Sequence, residues 1–247
     1  MEKLPIFIHM SMLGPYFGIF EHLGLCKKEP MRPTTWFYKG EPFTENFWGV
    51  SDVDKEKLRG VVHIGAHDMA EGKDYGPLFG KNVIFFEANP ESYKNWVHPA
   101  CEHYGWLGIH AAATNVNGPI ELYLTGNADN SSLHAKAPET TDKVFVDGKR
   151  LDTFFELTDE VDINDYNFLN VDVEGAELKV LEGLGELLYH FDYILLEVAM
   201  DKRFGDEDVT FDEITDWLYE RGYGVELVSD SMTSRRWGDA LYVKRPR

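Results

Sequence analysis

Four short apolar runs set the rhythm of the chain. Val61-Val62-His63-Ile64 ends at Gly65, and Val83-Ile84-Phe85-Phe86 ends at Glu87. Phe168 to Val173 is a third run, and Tyr193-Ile194-Leu195-Leu196, ending at Glu197, is the fourth. Short, mostly apolar runs of this length read as strands buried on both faces. Gly72 to Gly80 leaves room for one helix between the first two, a βαβ unit of about 30 residues. Pro90 to Tyr104 supplies the next helix, with Pro90 in its first turn, and Trp106 to His110 a further strand. Gly175 to Tyr189 repeats with a helical period, with Leu178, Leu181 and Leu188 on one face and Val180, Leu184 and Leu187 widening it. Phe211 to Arg221 is a helix closed by Gly222. Val225 to Val228 and Ala240 to Val243 follow with no helix between them, which predicts a terminal hairpin and one antiparallel edge strand. The alternation predicts an α/β fold with a doubly wound, mostly parallel sheet.

Two regions depart from this rhythm. Residues 112 to 160 carry a turn signal at Asn117-Gly118, a strand at Ile120 to Leu124, a short strand at Val144 to Val146 and a second turn at Asp147-Gly148. Asn127 to Asn130 and Ala135 to Asp142 read as loops. Residues 1–59 are rich in aromatics, Pro and Gly without a clean period, and read as an extension packed on a main domain of residues 60–247. There Trp36, Phe37, Tyr38, Phe47 and Trp48 are placed as caps on the core ahead of a role in stacking on a sugar ring. Leu4 to Phe20 is apolar but broken by Pro5, His9, Gly14 and Pro15, so it reads as folded protein and not as a signal peptide or a membrane span.

Composition narrows the picture. With 43% apolar and 27% charged residues among 247, the chain is a folded protein of one ordinary α/β domain or two small ones. Cys26 and Cys101 are the only cysteines, which excludes a disulfide scaffold and reads as reduced thiols in the cytoplasm. Lys and Arg number 24 against 43 Asp and Glu, a net charge of −19. Such a surface repels phosphate backbones and anionic lipid, so neither nucleic acid nor membrane is expected as a partner. The one dense basic patch, Lys244, Arg245 and Arg247, reads as a C-terminal tail.

Candidate chemistry collects where strands end, because ligands of open parallel sheets bind beyond the carboxyl ends. Three ends stand out: Gly65-Ala66-His67-Asp68, Glu87-Ala88-Asn89-Pro90 and Asp172-Val173-Glu174-Gly175. Small residues after the first strand let a ligand approach the backbone. An acid ending the second is placed for both hydroxyls of a ribose. A dinucleotide would want further glycines where His67 and Met69 stand, which weakens a nicotinamide cofactor and leaves an oxidoreductase as a minor alternative. Asp172 and Glu174, two apart on an extended strand end, share one side. His67 is a second candidate base, since neutral imidazole suits proton transfer near pH 7. His63 and His67 lack helical spacing across the Gly65 turn, and no metal is assigned.

These segments together resemble the FkbM family of methyltransferases. The resemblance is carried by Val62 to His67, Phe85 to Pro90, Ser131-Ser132-Leu133, Arg150-Leu151-Asp152 and Asn170 to Glu177, with Glu197-Val198 and Trp237 to Val243 behind them. It implies a Rossmann-like, seven-stranded class I methyltransferase fold, S-adenosylmethionine as cofactor, and O-methylation of a sugar, glycan precursor or similar small metabolite. The residues expected around the cofactor are Ile64, Gly65, Ala66, His67, Glu87, Ala88, Ala112, Asp172 and Val173. Those expected to carry the chemistry are Asp172, Glu174 and His67. Similar sequences usually have Gly where Met69 stands and often an acid where His63 stands. Met69 is therefore expected to crowd the methionine end of the cofactor. These departures favour the rival reading, a binding module that has lost turnover. The extension is expected to cover the acceptor pocket or to form a homodimer contact.

Overall fold

The computed structural model describes residues 57–125, 131–135, 140–229, 232 and 235–246, save the side chains of Lys73 and Leu227, and before them only the backbone of four short strands. Of these four, Ile6–Phe7 pairs in parallel with Cys26–Lys27, and Trp36–Tyr38 pairs antiparallel with Glu41–Phe43. The Leu4 to Phe20 reading and the placing of Trp36, Phe37, Tyr38, Phe47 and Trp48 concern side chains outside the described residues.

From residue 61 the order is β1 (Val61–Ile64), α1 (Gly72–Phe79), β2 (Val83–Glu87), α2 (Pro90–Ser92), a π-helical turn (Tyr93–Val97), α3 (His98–Tyr104), β3 (Leu107–His110), β4 (Ala112–Ala113), β5 (Gly118–Thr125), β6 (Thr140–Lys149), α4 (Leu151–Leu157), β7 (Phe168–Val171), α5 (Glu177–Leu184), a 3-10 segment (Gly185–His190), β8 (Tyr193–Ala199), α6 (Phe211–Glu220), β9 (Tyr223–Val228) and β10 (Trp237–Lys244). One mixed sheet of seven strands has the order β9-β10-β8-β7-β1-β2-β3. The chain divides into two compact units. One comprises Glu56–Ile194 and Lys202–Val209, and the other includes Leu195–Asp201 and Thr210–Arg247.

In the first unit β7, β1, β2 and β3 are parallel neighbours, with Asn170 beside His63, His63 beside Phe85 and Phe85 beside Gly108. Every residue of β1, β2 and β7 is buried, the polar His63, Glu87 and Asn170 included, as strands covered on both faces require. β3, an edge strand, is half-exposed. The layer over β1 and β2 is aromatic: Tyr75 of α1 stacks on Phe85 at 5.7 Å, and Phe79 meets Phe168 at 5.8 Å. β4, β6 and β5 form a second sheet whose inner face is Ala112, Leu122 and Val146, with Leu133 and Ala88 against it.

Several boundaries moved for physical reasons. Asp147-Gly148 is not a turn. Both lie in the ten-residue strand β6, and Gly148 is there because a Cβ would meet the Gly118 carbonyl at 2.9 Å and Ile120 at 3.2 Å. Thr140 to Asp142 belong to the same strand, not to a loop. The third apolar run stops as a strand at Val171, and the helix after it begins at Glu177 and ends at Leu184, because Gly185 takes φ +52° and the chain tightens to 3-10.

In the second unit α6 starts with a capping box, Thr210 and Glu213 each bonding the other's backbone, and buries Phe211, Ile214 and Leu218. β9 and β10 pair antiparallel, as the absence of a helix between them predicts. The basic C-terminus is not a tail through residue 245. Lys244 closes β10, the Arg245 backbone N–H bonds the Gly222 carbonyl at 2.8 Å, and its guanidinium lies over Tyr219 at 4.7 Å. No helix among the described residues is long and apolar enough to cross a membrane.

Candidate active site

An open cleft of about 640 Å³, counted out to its mouth, lies in the first unit at the carboxyl ends of β1, β2 and β7. Three turns build it. After β1, the N–H groups of Gly65 and Ala66 both donate to the Phe86 carbonyl, and the His67 N–H donates to Glu87 Oε2 at 2.7 Å. Gly65 has φ +89°, and a Cβ there would run into the Asp172 carbonyl, so glycine is demanded twice over. After β2, Glu87 Oε1 accepts the Asn89 N–H at 2.6 Å, and Asn89 caps α2 by accepting from Glu91 and Ser92 ahead of Pro90. After β7, the Asp172 N–H donates to the Ile64 carbonyl at 3.0 Å, which binds the third turn to the first.

Ile64, Gly65, His67, Glu87, Ala88, Ala112, Asp172, Val173 and Glu174 all line this cleft. Gly65, Glu87 and Asp172 thus surround one space, as strand-end reasoning requires. Ala66 does not line it: it is buried beneath the turn. Ala111, Ala113, Asn89 and Leu133 complete the walls. A run of three alanines leaves flat, apolar room for a planar ligand, and no Lys or Arg lines the cleft among the described residues.

The electrostatics separate the carboxyls. Glu87 is buried, and its desolvation raises its pKa against the pull of the Asn89 and His67 N–H groups. Its oxygens hold the His67 and Asn89 N–H groups, with the Ala88 N–H also lowering its pKa, and the carboxylate still faces the cleft as an acceptor. Asp172 opens to solvent at the cleft but is walled on its other sides. Desolvation, then the like charge of Glu71, push it up to about 6, while Arg203 and His67 pull it down. Behind it Glu177 is buried and pushed up to about 7 by desolvation, with its own N–H and those of Gly175 and Val173 opposing and the charge of Asp172 adding to the rise.

His67 (φ +42°), Met69 (φ +65°) and Glu174 (φ +54°) are left-handed without being glycine. Side chains are held in that region only where surroundings over-determine it, and such places cluster at functional sites. For Met69 this accounts for glycine in similar sequences. Its side chain does not line the cleft, so the expected crowding of the methionine end is not seen. His63 also lies away from the cleft. Its Nδ1 and the Tyr75 hydroxyl are 2.9 Å apart, and Asn170 Nδ2 donates to that hydroxyl at 3.0 Å. Burial lowers its pKa and keeps it neutral, so it serves the core and not the chemistry.

Ser131 and Ser132, which share in the resemblance, play different parts. Ser131 lines the cleft and accepts from Asn89 Nδ2 at 3.3 Å. Ser132 is buried and donates to the Glu174 carbonyl at 2.6 Å, while His134 Nε2 meets the Gly175 carbonyl at 2.8 Å. Missed altogether was the loop Lys202–Val209. There buried Asp208 accepts the N–H groups of Arg203, Phe204 and Val209, and sets Arg203 Nη2 3.8 Å from Glu174 Oε2. The only signal for it was Gly205-Asp206, a turn pair with no visible link to residue 174.

The methyltransferase FkbM domain model matches residues 63–225, well over half of the chain. The chain belongs to the FkbM methyltransferase family. It is thereby an S-adenosylmethionine-dependent methyltransferase by family, and the seven-stranded mixed sheet is the architecture that the resemblance implied. No curated protein matches it by sequence. Among solved structures it is similar to magnesium protoporphyrin IX methyltransferase (ChlM) from Synechocystis PCC 6803 with bound SAM, at 12% identity over 80% of this chain and 74% of that one, TM-score 0.43. It is also similar to a SAM-dependent methyltransferase from Aquifex aeolicus, at 12% identity over 78% and 87%, TM-score 0.42. The N-terminal domain of human METTL16 is 13% identical over 81% and 66%, TM-score 0.44.

The FkbM cleft fits the family's cofactor in its donor set. A buried carboxylate acceptor at Glu87 would suit paired hydroxyls, the alanines would suit a flat apolar ring, and the carboxyls of Asp172 and Glu174 would suit a sulfonium.

Proposed function

We propose that this FkbM protein transfers a methyl group to a hydroxyl of a sugar, glycan precursor or similar small metabolite. The observation that carries the reading is the carboxyl of Asp172 at the cleft mouth, pushed up to about 6, with Glu174 two residues on. A sugar hydroxyl is a weak acid, so it gains from a base poised near neutral pH that takes its proton as the new bond forms. S-adenosylmethionine supplies the electrophilic methyl when bound. In this reading Glu87 holds the ribose hydroxyls, Gly65 and the alanines admit the adenosyl part, and Asp172 accepts the acceptor's proton. Glu174, facing Arg203, aligns the acceptor, and His67 is the alternate base. Alignment contributes on its own, because displacement at a sulfonium needs the attacking oxygen in line. A pyrophosphate is held by free amides of a glycine turn, whereas here the N–H groups of Gly65, Ala66 and His67 go to the Phe86 carbonyl and Glu87, which disfavours a dinucleotide cofactor and with it the oxidoreductase alternative.

Methyl-labelled S-adenosylmethionine offered with a panel of free sugars and sugar nucleotides tests the acceptor class. Label in an alkali-stable ether is the expected product. Label confined to nitrogen or to an alkali-labile ester overturns the hydroxyl reading. Failure of S-adenosylhomocysteine to bind at millimolar concentration favours the binding-module rival.

A further inference from the structure

The string Asn170 to Glu177 ends in an acid to which the reading above gives no part. Glu177 is buried, yet it is the first residue of α5 and lies directly behind the turn that carries Asp172 and Glu174. Its Oε1 accepts the Val173 N–H at 3.2 Å and the Gly175 N–H at 3.1 Å. Those two donors flank Glu174, whose φ of +54° an L residue does not hold unaided. The same turn is gripped from the other side through its carbonyls, Glu174 by Ser132 and Gly175 by His134.

We propose that Glu177 is a positioning residue for methyl transfer: its carboxyl grips the Val173–Gly175 turn from behind, and its charge acts through Asp172 on the sulfonium end of the cleft. The proposal rests on the reading that Asp172 and Glu174 border the transferred methyl. A plain helix-start cap would explain the two N–H bonds but not the choice of an ionisable group in a buried place, where glutamine would make the same bonds without the desolvation of a charge. The charged group set against Glu177 is Asp172, which is itself faced by Glu71, Glu87, Arg203 and His67. Like charges set against each other lose their protons in successive steps that belong to the pair. Burial raises both carboxyls, and the charge of Asp172 raises Glu177 further, so the second charge comes at higher pH than the first.

Glu177→Gln keeps the acceptor and removes the charge, while Glu177→Leu removes both. The measurement is calorimetric affinity for S-adenosylmethionine and S-adenosylhomocysteine at pH 6.5 and 8.5. Their ratio cancels whatever the two ligands share and leaves the sulfonium charge. In the unaltered chain the ratio rises by about threefold or more over this range as the second charge appears. In Glu177→Gln the rise is at least halved, because only the titration of the cleft's other groups remains, with S-adenosylhomocysteine bound within about twofold of the unaltered chain, since neutral hydrogen bonds replace the charged ones. In Glu177→Leu both ligands weaken by about tenfold or more as the turn loses its anchor. A cofactor-free readout accompanies these. The excess of the melting temperature of Glu177→Gln over that of the unaltered chain grows from pH 5 to pH 8, because a carboxyl raised on folding withdraws stability as pH climbs through its folded pKa. A ratio that rises as steeply in Glu177→Gln as in the unaltered chain, or a Glu177→Leu chain that folds and binds both ligands normally, overturns the proposal and leaves the methyl-site reading standing. If Glu177→Leu does not fold, the ratio in Glu177→Gln decides. An unaltered chain that binds neither ligand overturns both.

Discussion

Two turns face each other across the cleft. The turn after β1 is fastened from close by in sequence, through the Phe86 carbonyl and the Glu87 carboxylate at the end of the very next strand. The turn after β7 is fastened from three directions: Ser132 and His134 on its carbonyls, Glu177 on its N–H groups, and Arg203 facing Glu174. The first is a product of one βαβ unit and needs only that β1 and β2 pair. The second exists only after the second sheet, α5 and the Lys202–Val209 loop have all docked. The turn after β1 is thus local, and the turn after β7 is assembled from distant segments.

The sharpest break between the two turns is Asp172→Asn. It should lower turnover by about 10²–10⁴-fold while S-adenosylhomocysteine affinity stays within a fewfold, since Asn keeps the volume but takes no proton. Unchanged turnover at saturation would move the base to His67 or Glu174. Gly65→Ala attacks a point where the turns touch, combining a φ of +89° with a Cβ aimed at the Asp172 carbonyl. Its cost should be about 3 kcal/mol or more, a fall of roughly 10 °C in Tm for a chain of this size. A normal melting curve would show that the turns yield to each other freely.

Glu87→Ala tests the local turn alone. Losing charge-assisted bonds should cost about 1.5–3 kcal/mol in cofactor affinity, read by titration with S-adenosylhomocysteine. The effect includes the freed His67 and Asn89 N–H groups, so an equal loss for ligands without ribose hydroxyls would assign Glu87 to the turn and not to the ribose. Smallest is Ser132→Ala, which removes one buried donor from the assembled turn. A loss of about 1 kcal/mol, or roughly 2–4 °C in Tm, is expected, with cofactor affinity unchanged. A fall in affinity instead would mean that the two turns are not independent.

What could be read in the chain follows the same division. Gly65, Glu87 and Asp172 were legible because each ends an apolar run, and a buried parallel strand puts its last residue at the ligand edge whatever the rest of the protein does. Pro90 in the first turn of its helix was legible because a proline's fixed φ and missing N–H suit that position, whereas the Asn89 cap beside it was not read from the sequence. Asp147-Gly148 was misread because a turn pair and a close-packed strand glycine look alike until the facing chain, here Gly118 and Ile120, is in place.

The sequence by itself determined the alternation of strands and helices, the antiparallel hairpin at the end and the three strand-end motifs, since these rest on periodicity and on residues adjacent in the chain. Only the tertiary structure decided that His63 turns to Tyr75 and Asn170 in the core, that Ser132 and His134 hold the Asp172 turn, and that Glu177 stands buried behind it. Each of these depends on groups 12 to 107 residues apart, or on a side chain whose direction is set by what surrounds it. Hydrogen bonds across such distances carry no local pattern; they form because a buried donor or acceptor must be satisfied by whatever packing brings within reach.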